Sequence, residues 1–322
     1  MKYQLEKKNT FFQLHQIFYF VSYKVLSSIT EKYKRPLICS FKITSRCNLK
    51  CVHCPFWRLD EEKKDMEFEK IKLILKKLNL LGVRIVIFEG GEPMLWKDQI
   101  GQNKKDITDV INYAKELFFY VCVTTNGTVN FSSAATVADI MFVIIDGLQK
   151  THDKIRGKSF ENIIKNIEIS SKLKKVIVNI CISRINIEEI SQMVKFLNDK
   201  VYGITIQFFY PYNNVTDYML SPKQKENILR EIVALKRTGF KILNSYACLE
   251  KMANNTWQCN DFLVCSVENN GLISQGCYLK NKVSKISCRD CGFAVHCEIS
   301  LAYRLNLSAI KTAFNIFWKK QM

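Results

Sequence analysis

Cys47-Asn48-Leu49-Lys50-Cys51-Val52-His53-Cys54 directly follows an apolar run, Leu37 to Ile43, and this stretch guides the interpretation of the whole chain. Three thiolates can bind three irons of a four-iron cluster, which leaves the fourth iron open to a substrate or cofactor. The alternative is a structural zinc knuckle. Zinc usually takes a fourth ligand, however, and His53 lies between two of the cysteines.

The composition is that of a folded chain with a sizeable core. The protein has 322 residues, of which 48% are hydrophobic, enough for one large α/β domain with an appendage. Its 13 cysteines group at Cys47–Cys54 and Cys248–Cys297, and no secretory signal is recognisable. Metal ligation therefore explains the cysteines better than disulfides do, and the protein is expected to be cytoplasmic.

The chain is strongly basic, with a net charge of +18 from 48 basic and 30 acidic side chains. Such a balance favours nucleic acid, an anionic membrane surface or an acidic substrate as partner. Because the lysines are spread along the chain, nucleic acid is not expected. An iron–sulfur protein that binds nucleic acid is the non-enzymatic alternative, and it predicts salt-dependent binding.

Residues 1–35 form an amphipathic helical segment ahead of the cysteines. Its apolar positions recur at helical spacing: Phe11, Leu14, Phe18, Val21 and Val25. The segment is too polar to span a membrane. It fits either a helix in a membrane interface, flanked by Lys7 and Lys8, or a helix docked on the protein's own core. Peripheral membrane contact is therefore one prediction.

From residue 36 to 238 the chain alternates between β-rich and helical runs. The predicted strands are Leu37–Thr44, Arg84–Phe88, Tyr120–Thr124, Ile140–Ile145, Val176–Ile182 and Ile204–Phe209. The predicted helices are Phe68–Leu80, Ile107–Leu117, Ser133–Ala138, Phe160–Leu173, Ile187–Leu197 and Lys223–Lys236. Six such repeats predict an α/β fold, a partial (βα)6 TIM-like barrel with a parallel sheet and right-handed crossovers.

Polar or glycine-rich residues follow the predicted strands, at the ends where parallel barrels bind ligands. In chain order these are the cysteine triplet, Glu89-Gly90-Gly91-Glu92-Pro93, Thr124-Thr125-Asn126-Gly127, Asp146-Gly147 with His152-Asp153 and Arg156-Gly157, then Asn179, Ser183 and Arg184 on the fifth strand, and Gln207 on the sixth. Turns that happen to be rich in glycine explain single segments but not their joint placement.

The cysteine triplet followed by Gly-Gly-Glu-Pro resembles the radical S-adenosylmethionine (SAM) superfamily, over roughly Pro36 to Tyr210. The resemblance implies that Cys47, Cys51 and Cys54 bind a [4Fe–4S] cluster whose fourth iron is chelated by SAM. It also implies that Gly90, Gly91 and Glu92 receive the methionine amino group. Glycines allow close backbone approach, and Glu92 adds a charged partner.

Other positions follow from the same resemblance. His53 would lie against the adenine, Thr125 and Asn126 would lie near the ribose, and Asp146 belongs to a segment found in the branch with extra clusters. The family often has a serine two residues before this aspartate, where this chain has Ile144.

Ser183 and Arg184 are then the candidates for holding the SAM carboxylate. The implied reaction begins with one electron from a flavodoxin- or ferredoxin-type donor. Cleavage of SAM yields a 5′-deoxyadenosyl radical that acts on an unreactive carbon.

The C-terminal cysteines resemble the SPASM/Twitch extension, which binds auxiliary iron–sulfur clusters. The pattern departs from the usual one, because Leu301 stands where a further cysteine is expected and Gly271 is displaced by one residue. One auxiliary [4Fe–4S] cluster is expected, with ligands drawn from Cys259, Cys265, Cys277, Cys288, Cys291 and Cys297. A structural zinc site within Cys288–Cys297 is the alternative.

The tail, with Trp257-Gln258-Cys259 and His296-Cys297-Glu298, is also loosely similar to radical SAM enzymes of hopanoid and isoprenoid lipids. A membrane lipid or isoprenoid is accordingly the first expected substrate, with peptide maturation or cofactor biosynthesis as alternatives. The expected domains are residues 1–35, 36–238, 239–300 for the auxiliary-cluster region, and 301–322 for a C-terminal helix.

Overall fold

The computed structural model describes residues 10–58, 64–212 and 215–319. The strands in this part of the chain are β1 (Ile38–Thr44), β2 (Ile85–Gly90), β3 (Lys97–Ile100), β4 (Asn103–Asp106), β5 (Tyr120–Thr125), β6 (Ile140–Ile144), β7 (Val176–Ile182), β8 (Gly203–Phe208), β9 (Val264–Val267) and β10 (Ile273–Gln275). The helices are α1 (Thr10–Ile29), α2 (Phe68–Leu81), α3 (Ile107–Lys115), α4 (Ser132–Val137), α5 (Gln149–Arg156), α6 (Phe160–Ser170), α7 (Ile190–Leu197), α8 (Pro222–Arg237), α9 (Tyr246–Met252), α10 (Ala294–Tyr303) and α11 (Leu307–Phe317).

The main sheet has eight strands in the order β10-β9-β1-β2-β5-β6-β7-β8. Six neighbouring strands of this sheet pair in parallel, and helices connect most of them: β1, β2, β5, β6, β7 and β8. Short helical crossovers return the chain to the same end of the sheet, which is why consecutive strands run parallel. The predicted α/β class and its six-strand partial barrel are confirmed.

The cysteine-rich tail is joined to this sheet. β9 pairs in parallel with β1, and β10 pairs antiparallel with β9. The expected boundary between residues 300 and 301 lies inside α10, so it separates no structural unit.

Three local features differ from the sequence-based expectation. A hairpin, β3–β4, follows the Gly-Gly-Glu-Pro turn, where its short, charged strands carry little apolar alternation. Residues 149–156 form a helix rather than a loop. The expected single C-terminal helix is two helices, α10 and α11, because Leu305 adopts a left-handed conformation with φ 62° between them.

The two faces of the sheet pack into different apolar clusters. Alternate residues such as Phe41 and Phe88 are fully buried under the surrounding helices. On the other face, at the strands' amino ends, a second apolar cluster includes Ile140 and Ile177 and is packed by Phe317 of α11. The interior is therefore closed by apolar side chains at one end, and polar side chains lie towards the carboxyl ends.

α1 lies across the closed end. The Tyr19 hydroxyl donates to the Gly82 carbonyl at 3.3 Å, and the Tyr120 hydroxyl donates to Gln16 at 2.9 Å. Of the two predictions for this segment, docking on the protein itself is thus observed. Lys7 and Lys8 lie outside the described residues. Among the described helices, none is long and apolar enough to cross a membrane.

Candidate active site

The cysteine triplet lies in the loop that leaves the carboxyl end of β1. Cys51 is buried, Cys54 is half-buried and Cys47 is exposed. Burial raises the pKa of the Cys51 thiol to about 11, although the nearby Arg156 guanidinium lowers it, and burial also raises the pKa of Cys47. Both thiols are therefore protonated near pH 7 unless a metal displaces the proton.

N–H donors lie within 4 Å of two of these sulfurs. The Leu49 amide approaches the Cys47 sulfur at 3.5 Å, and the Asn126 side-chain amide approaches it at 3.9 Å. Arg156 Nη1 lies 3.6 Å from the Cys51 sulfur. Such donors stabilise thiolates, so the triplet fits the first expected cofactor, an iron–sulfur cluster.

Gly90 and Gly91 hold the loop in place by close backbone contact. A Cβ at Gly91 would lie 2.1 Å from the Arg46 carbonyl oxygen, and one at Gly90 would lie 2.3 Å from that of Thr44. The absence of side chains lets the Gly91 amide donate to the Thr44 carbonyl at 2.9 Å. These glycines therefore join the end of β2 to the start of the cysteine loop.

Glu92 is fully buried beneath the site. Its carboxylate accepts hydrogen bonds from the Thr125 hydroxyl at 2.6 Å, the Asn126 amide at 2.7 Å and the Met94 amide at 3.0 Å. Burial raises the pKa of this carboxyl despite these bonds. The predicted contact of Glu92 with a methionine ammonium stays a prediction, whereas its bridging of two strand ends is observed.

Asp146 and Arg156 form a buried ion pair behind the cysteines. Arg156 Nε donates to Asp146 at 2.6 Å, and the other carboxylate oxygen accepts from the Cys181 amide at 3.1 Å. Although burial raises it, the pKa of Asp146 is held below its usual value by the charge of Arg156. The predicted site residue Asp146 is thus placed next to the cysteine loop.

Arg156 is a site residue to which the sequence assigned no role, although the Arg156-Gly157 pair follows the fourth predicted strand. It lies on the last turn of α5 and links Asp146 to the Cys51 sulfur. The only signal for it was the Arg-Gly pair at residues 156–157. With α5 interpreted as a loop, nothing predicted that its side chain would turn towards the cysteines.

Two histidines near this pair are neutral at pH 7. Burial lowers the pKa of His53 to about 4, so its 3.6 Å contact with Asp146 is not an ion pair. Burial, followed by the Arg156 charge, lowers the pKa of His152 to about 4 as well. A neutral His53 ring suits stacking against a heterocycle.

Ser183 and Arg184 lie just beyond β7. The Ser183 amide donates to Asn186 at 2.8 Å, and the Asn186 side chain donates to the Asp146 carbonyl at 2.9 Å. Arg184 is exposed, and its amide donates to the Tyr218 carbonyl. The structure therefore connects Ser183 to the Asp146 end of the site. For Arg184, proximity to the cysteines stays a prediction.

A second polar group lies between β1, β2 and the tail. Lys42 and Lys282 both pair with Glu268, at 2.9 and 2.6 Å. Glu89, opposite Lys42 in the sheet register, accepts from the Tyr278 hydroxyl at 3.2 Å. Sequence analysis missed this group because Glu268, Tyr278 and Lys282 come from the tail and meet the strands only in the fold.

Four of the C-terminal cysteines are neighbours. Burial raises the pKa of the Cys259 thiol to about 12, and three nearby thiols, Cys291, Cys277 and Cys288, raise it further. The pKa of Cys291 is likewise raised, to about 11, by burial and then by Cys277, Cys288 and Cys297. His296 Nδ1 lies 3.9 Å from the Cys259 sulfur.

Two of the six predicted auxiliary ligands have other partners. Cys265 lies on β9, opposite Cys39 in the register, and both are buried. Cys297 is fully buried on α10, where its thiol and that of Cys248 are joined by a hydrogen bond. Among the described residues, no three His, Cys, Asp or Glu side chains converge on the position of a single metal ion. A cubane cluster binds each thiolate at a different iron.

Comparison with known proteins shows which family the residues of this site resemble. Residues 41–197 match the radical SAM superfamily. The chain is 32% identical over 133 residues to Fe-coproporphyrin III synthase of Methanosarcina barkeri, which covers 39% of this chain and 31% of that protein. It is 28% identical over 169 residues to the sporulation killing factor maturation protein SkfB of Bacillus subtilis, which covers 50% and 39%.

The fold is similar to a crystal structure of Streptococcus suis SuiB bound to precursor peptide SuiA. The TM-score is 0.64 at 17% identity, over 79% of this chain and 62% of that one. The chain spans about half, or less, of the length of the curated relatives it matches. The expected similarity to lipid-modifying enzymes has no counterpart among the proteins named here.

Proposed function

We propose that the whole protein is a radical SAM enzyme that modifies a peptide and binds one auxiliary cluster. The radical SAM domain at residues 41–197 supports this proposal. A [4Fe–4S] cluster and SAM are the cofactors of this superfamily. One observation carries the proposal: Cys47, Cys51 and Cys54 share a loop in which N–H donors reach the first two sulfurs.

A cluster held by Cys47, Cys51 and Cys54 would pass one electron from an external reductant to SAM, the chemistry that yields methionine and a 5′-deoxyadenosyl radical able to take hydrogen from an unactivated carbon. The chain's own residues bind and orient. Neutral His53 would lie against the adenine, and Thr125 and Asn126 would lie near the ribose. Ser183 and Arg184 would hold the SAM carboxylate. Gly90 and Gly91, with Glu92 beneath them, would keep the loop at a fixed distance from the methionine amino group.

The auxiliary cluster is proposed to be bound by Cys259, Cys277, Cys288 and Cys291. Their mutual proximity supports this set, and four thiolates fully ligate a cubane. Cys265 is left out of it because it lies opposite Cys39 in the sheet, and Cys297, although it lies near Cys291, is left out because it is fully buried and hydrogen-bonded with Cys248.

A peptide substrate is supported by the similarity to SkfB, named as a maturation protein. Lys42 and Lys282, both paired with Glu268, place a largely buried charged group at the polar end of the sheet, where a peptide would approach the cysteine loop. A second candidate, cofactor biosynthesis, is favoured by the 32% identity to Fe-coproporphyrin III synthase. The lipid or isoprenoid substrate rests on the resemblance of the tail alone.

The test is anaerobic reconstitution followed by addition of dithionite and SAM. Release of 5′-deoxyadenosine is expected, and Cys51→Ala should abolish it, while Cys122→Ala, a buried cysteine outside the proposed sites, should preserve it. Release that persists in Cys51→Ala would overturn the mechanism. Deuterium transfer to 5′-deoxyadenosine from deuterated peptides encoded beside the gene, and not from coproporphyrin III, would support the peptide over the cofactor precursor.

A further inference from the structure

α1 carries apolar side chains on both of its sides. Its inward side packs Tyr23 into an apolar cluster and buries the polar Gln16 and Ser27. On the outward side, Phe18 is 71% and Ile29 74% exposed. Helices on globular proteins normally turn their apolar side to the core. An apolar surface left towards solvent usually marks a site of contact with a protein or a membrane.

The exposed side chains of α1 form one continuous stripe. Successive steps of four, three, four and four residues place them on the same side of the helix: Leu14, Phe18, Val21, Val25 and Ile29. The stripe is about 22 Å long, at 1.5 Å per residue. Between Thr10 and Ile29 the sequence contains no acidic residue.

α11 adds a second stripe beside the first. Leu307, Ile310 and Phe314 are exposed and lie three and four residues apart. The rings of Phe20 and Trp318 meet at 6.1 Å, so the end of α11 touches α1. Both helices cover the amino ends of the strands, which is the end opposite to the cysteine loop.

A basic cavity of about 740 Å³ opens at the same end. Four lysines and two carboxylates are among its lining residues: Lys172, Lys200, Lys241, Lys319, Glu168 and Asp199. Lys200 pairs with Glu168 at 2.6 Å. With four cations against two anions, the cavity has a positive net charge and suits phosphate groups.

We propose that the end of the barrel formed by α1 and α11 is a peripheral docking surface for a bilayer rich in anionic phospholipid. The two apolar stripes enter the interface, and the lysines of the cavity face the headgroup phosphates. Charge selects this occupant over a second copy of the chain, because two copies with a net charge of +18 each repel one another.

Docking in this way leaves the active site away from the lipid. The cysteine loop follows the carboxyl end of β1, a strand of seven residues, so a distance of about 20 Å separates the two ends. A docked protein therefore turns its polar end to the aqueous side. Membrane docking is compatible with a water-borne peptide and does not imply that the lipid is the substrate.

The test is co-sedimentation of the full-length protein with vesicles of phosphatidylcholine, with and without phosphatidylglycerol. Binding is expected only with the anionic lipid and should weaken as salt is added. Phe18→Glu and Val25→Glu should each lower the partition coefficient about tenfold or more. The matched control is Leu73→Glu, at an apolar position 60% exposed on α2, and it should bind like the wild type.

Circular dichroism and urea unfolding establish that each variant is folded, and light scattering gives the oligomeric state. Lys172→Gln with Lys241→Gln should lower the preference for anionic lipid while preserving the fold. Equal partition of Phe18→Glu and the wild type would overturn the proposal. So would a dimer in solution that Phe18→Glu dissociates, combined with an absence of vesicle binding.

Discussion

The Thr125 hydroxyl donates a hydrogen bond of 2.6 Å to the carboxylate of Glu92, although the two residues are 33 positions apart in the chain. Thr125 ends β5, and Glu92 follows β2. The Glu92 amide in turn donates to the Arg46 carbonyl at 2.7 Å. Glu92 thus ties three neighbouring strand ends together directly beneath the cysteine loop.

Glu92→Gln should destabilise the fold. The three groups that contact the carboxylate are all donors, so an amide would turn an N–H₂ group towards at least one of them. We expect the free energy of unfolding, measured in urea, to fall by about 1–3 kcal/mol. Glu116→Gln, at an exposed position, is the matched control and should change it by less than about 0.5 kcal/mol. Equal midpoints for the two variants would contradict the bridging role.

Arg156→Met should lower the free energy of unfolding more than replacement of both Arg156 and Asp146 does. It leaves the buried Asp146 carboxylate without its cation, at a cost of about 3–5 kcal/mol. Adding Asp146→Asn should restore part of that loss, because the unpaired charge is removed. A double-mutant cycle of urea unfolding measures the coupling. Additive losses would show that the two side chains do not depend on each other.

The folded state should lose stability in acid through His152. The unfolded ring binds a proton below about pH 6.5, whereas the folded ring, with its pKa lowered to about 4, does not. The free energy of unfolding therefore falls between pH 6.5 and 4, by up to about 1.4 kcal/mol per pH unit.

His152→Asn should remove the part of this slope that comes from His152, whatever its effect on stability at pH 7.5. His53 and His296, whose pKa values burial also lowers to about 4, keep their own parts of the slope. Urea unfolding at several pH values measures the slope, and His15→Gln, at an exposed histidine, provides the control. An unchanged slope in His152→Asn would show that this ring is protonated in the folded protein.

Replacing one of the four proposed auxiliary ligands should lower the iron content of the protein, whereas replacing another tail cysteine should not. The reconstituted wild type should hold about eight irons per chain, for two cubane clusters. Cys288→Ala or Cys291→Ala should lower this to about four, whereas Cys265→Ala should leave it unchanged because Cys265 lies beside Cys39 in the sheet. Zinc bound in place of four irons would support the structural-zinc alternative.

The parts predicted from the sequence are those with local signals. The boundaries of β1 and β7 agree with prediction within one residue, because a buried parallel strand is a short apolar run. The β3–β4 hairpin was missed, since half-exposed strands of Lys, Asp, Gln and Asn lack that pattern. The helical state of residues 149–156 was missed for a similar reason, because its buried residues include His152 and Arg156.

By itself, the sequence determined the positions of the six parallel strands, the cysteine spacing and the Gly-Gly-Glu-Pro turn, since each is encoded within a few consecutive residues. Only the tertiary structure decided which distant groups meet. It placed Arg156 against Cys51, paired Cys265 with Cys39 across the sheet, and turned the apolar stripe of α1 outward. Hydrophobic periodicity shows that a helix has two sides, but which side is buried depends on the surface against which it packs.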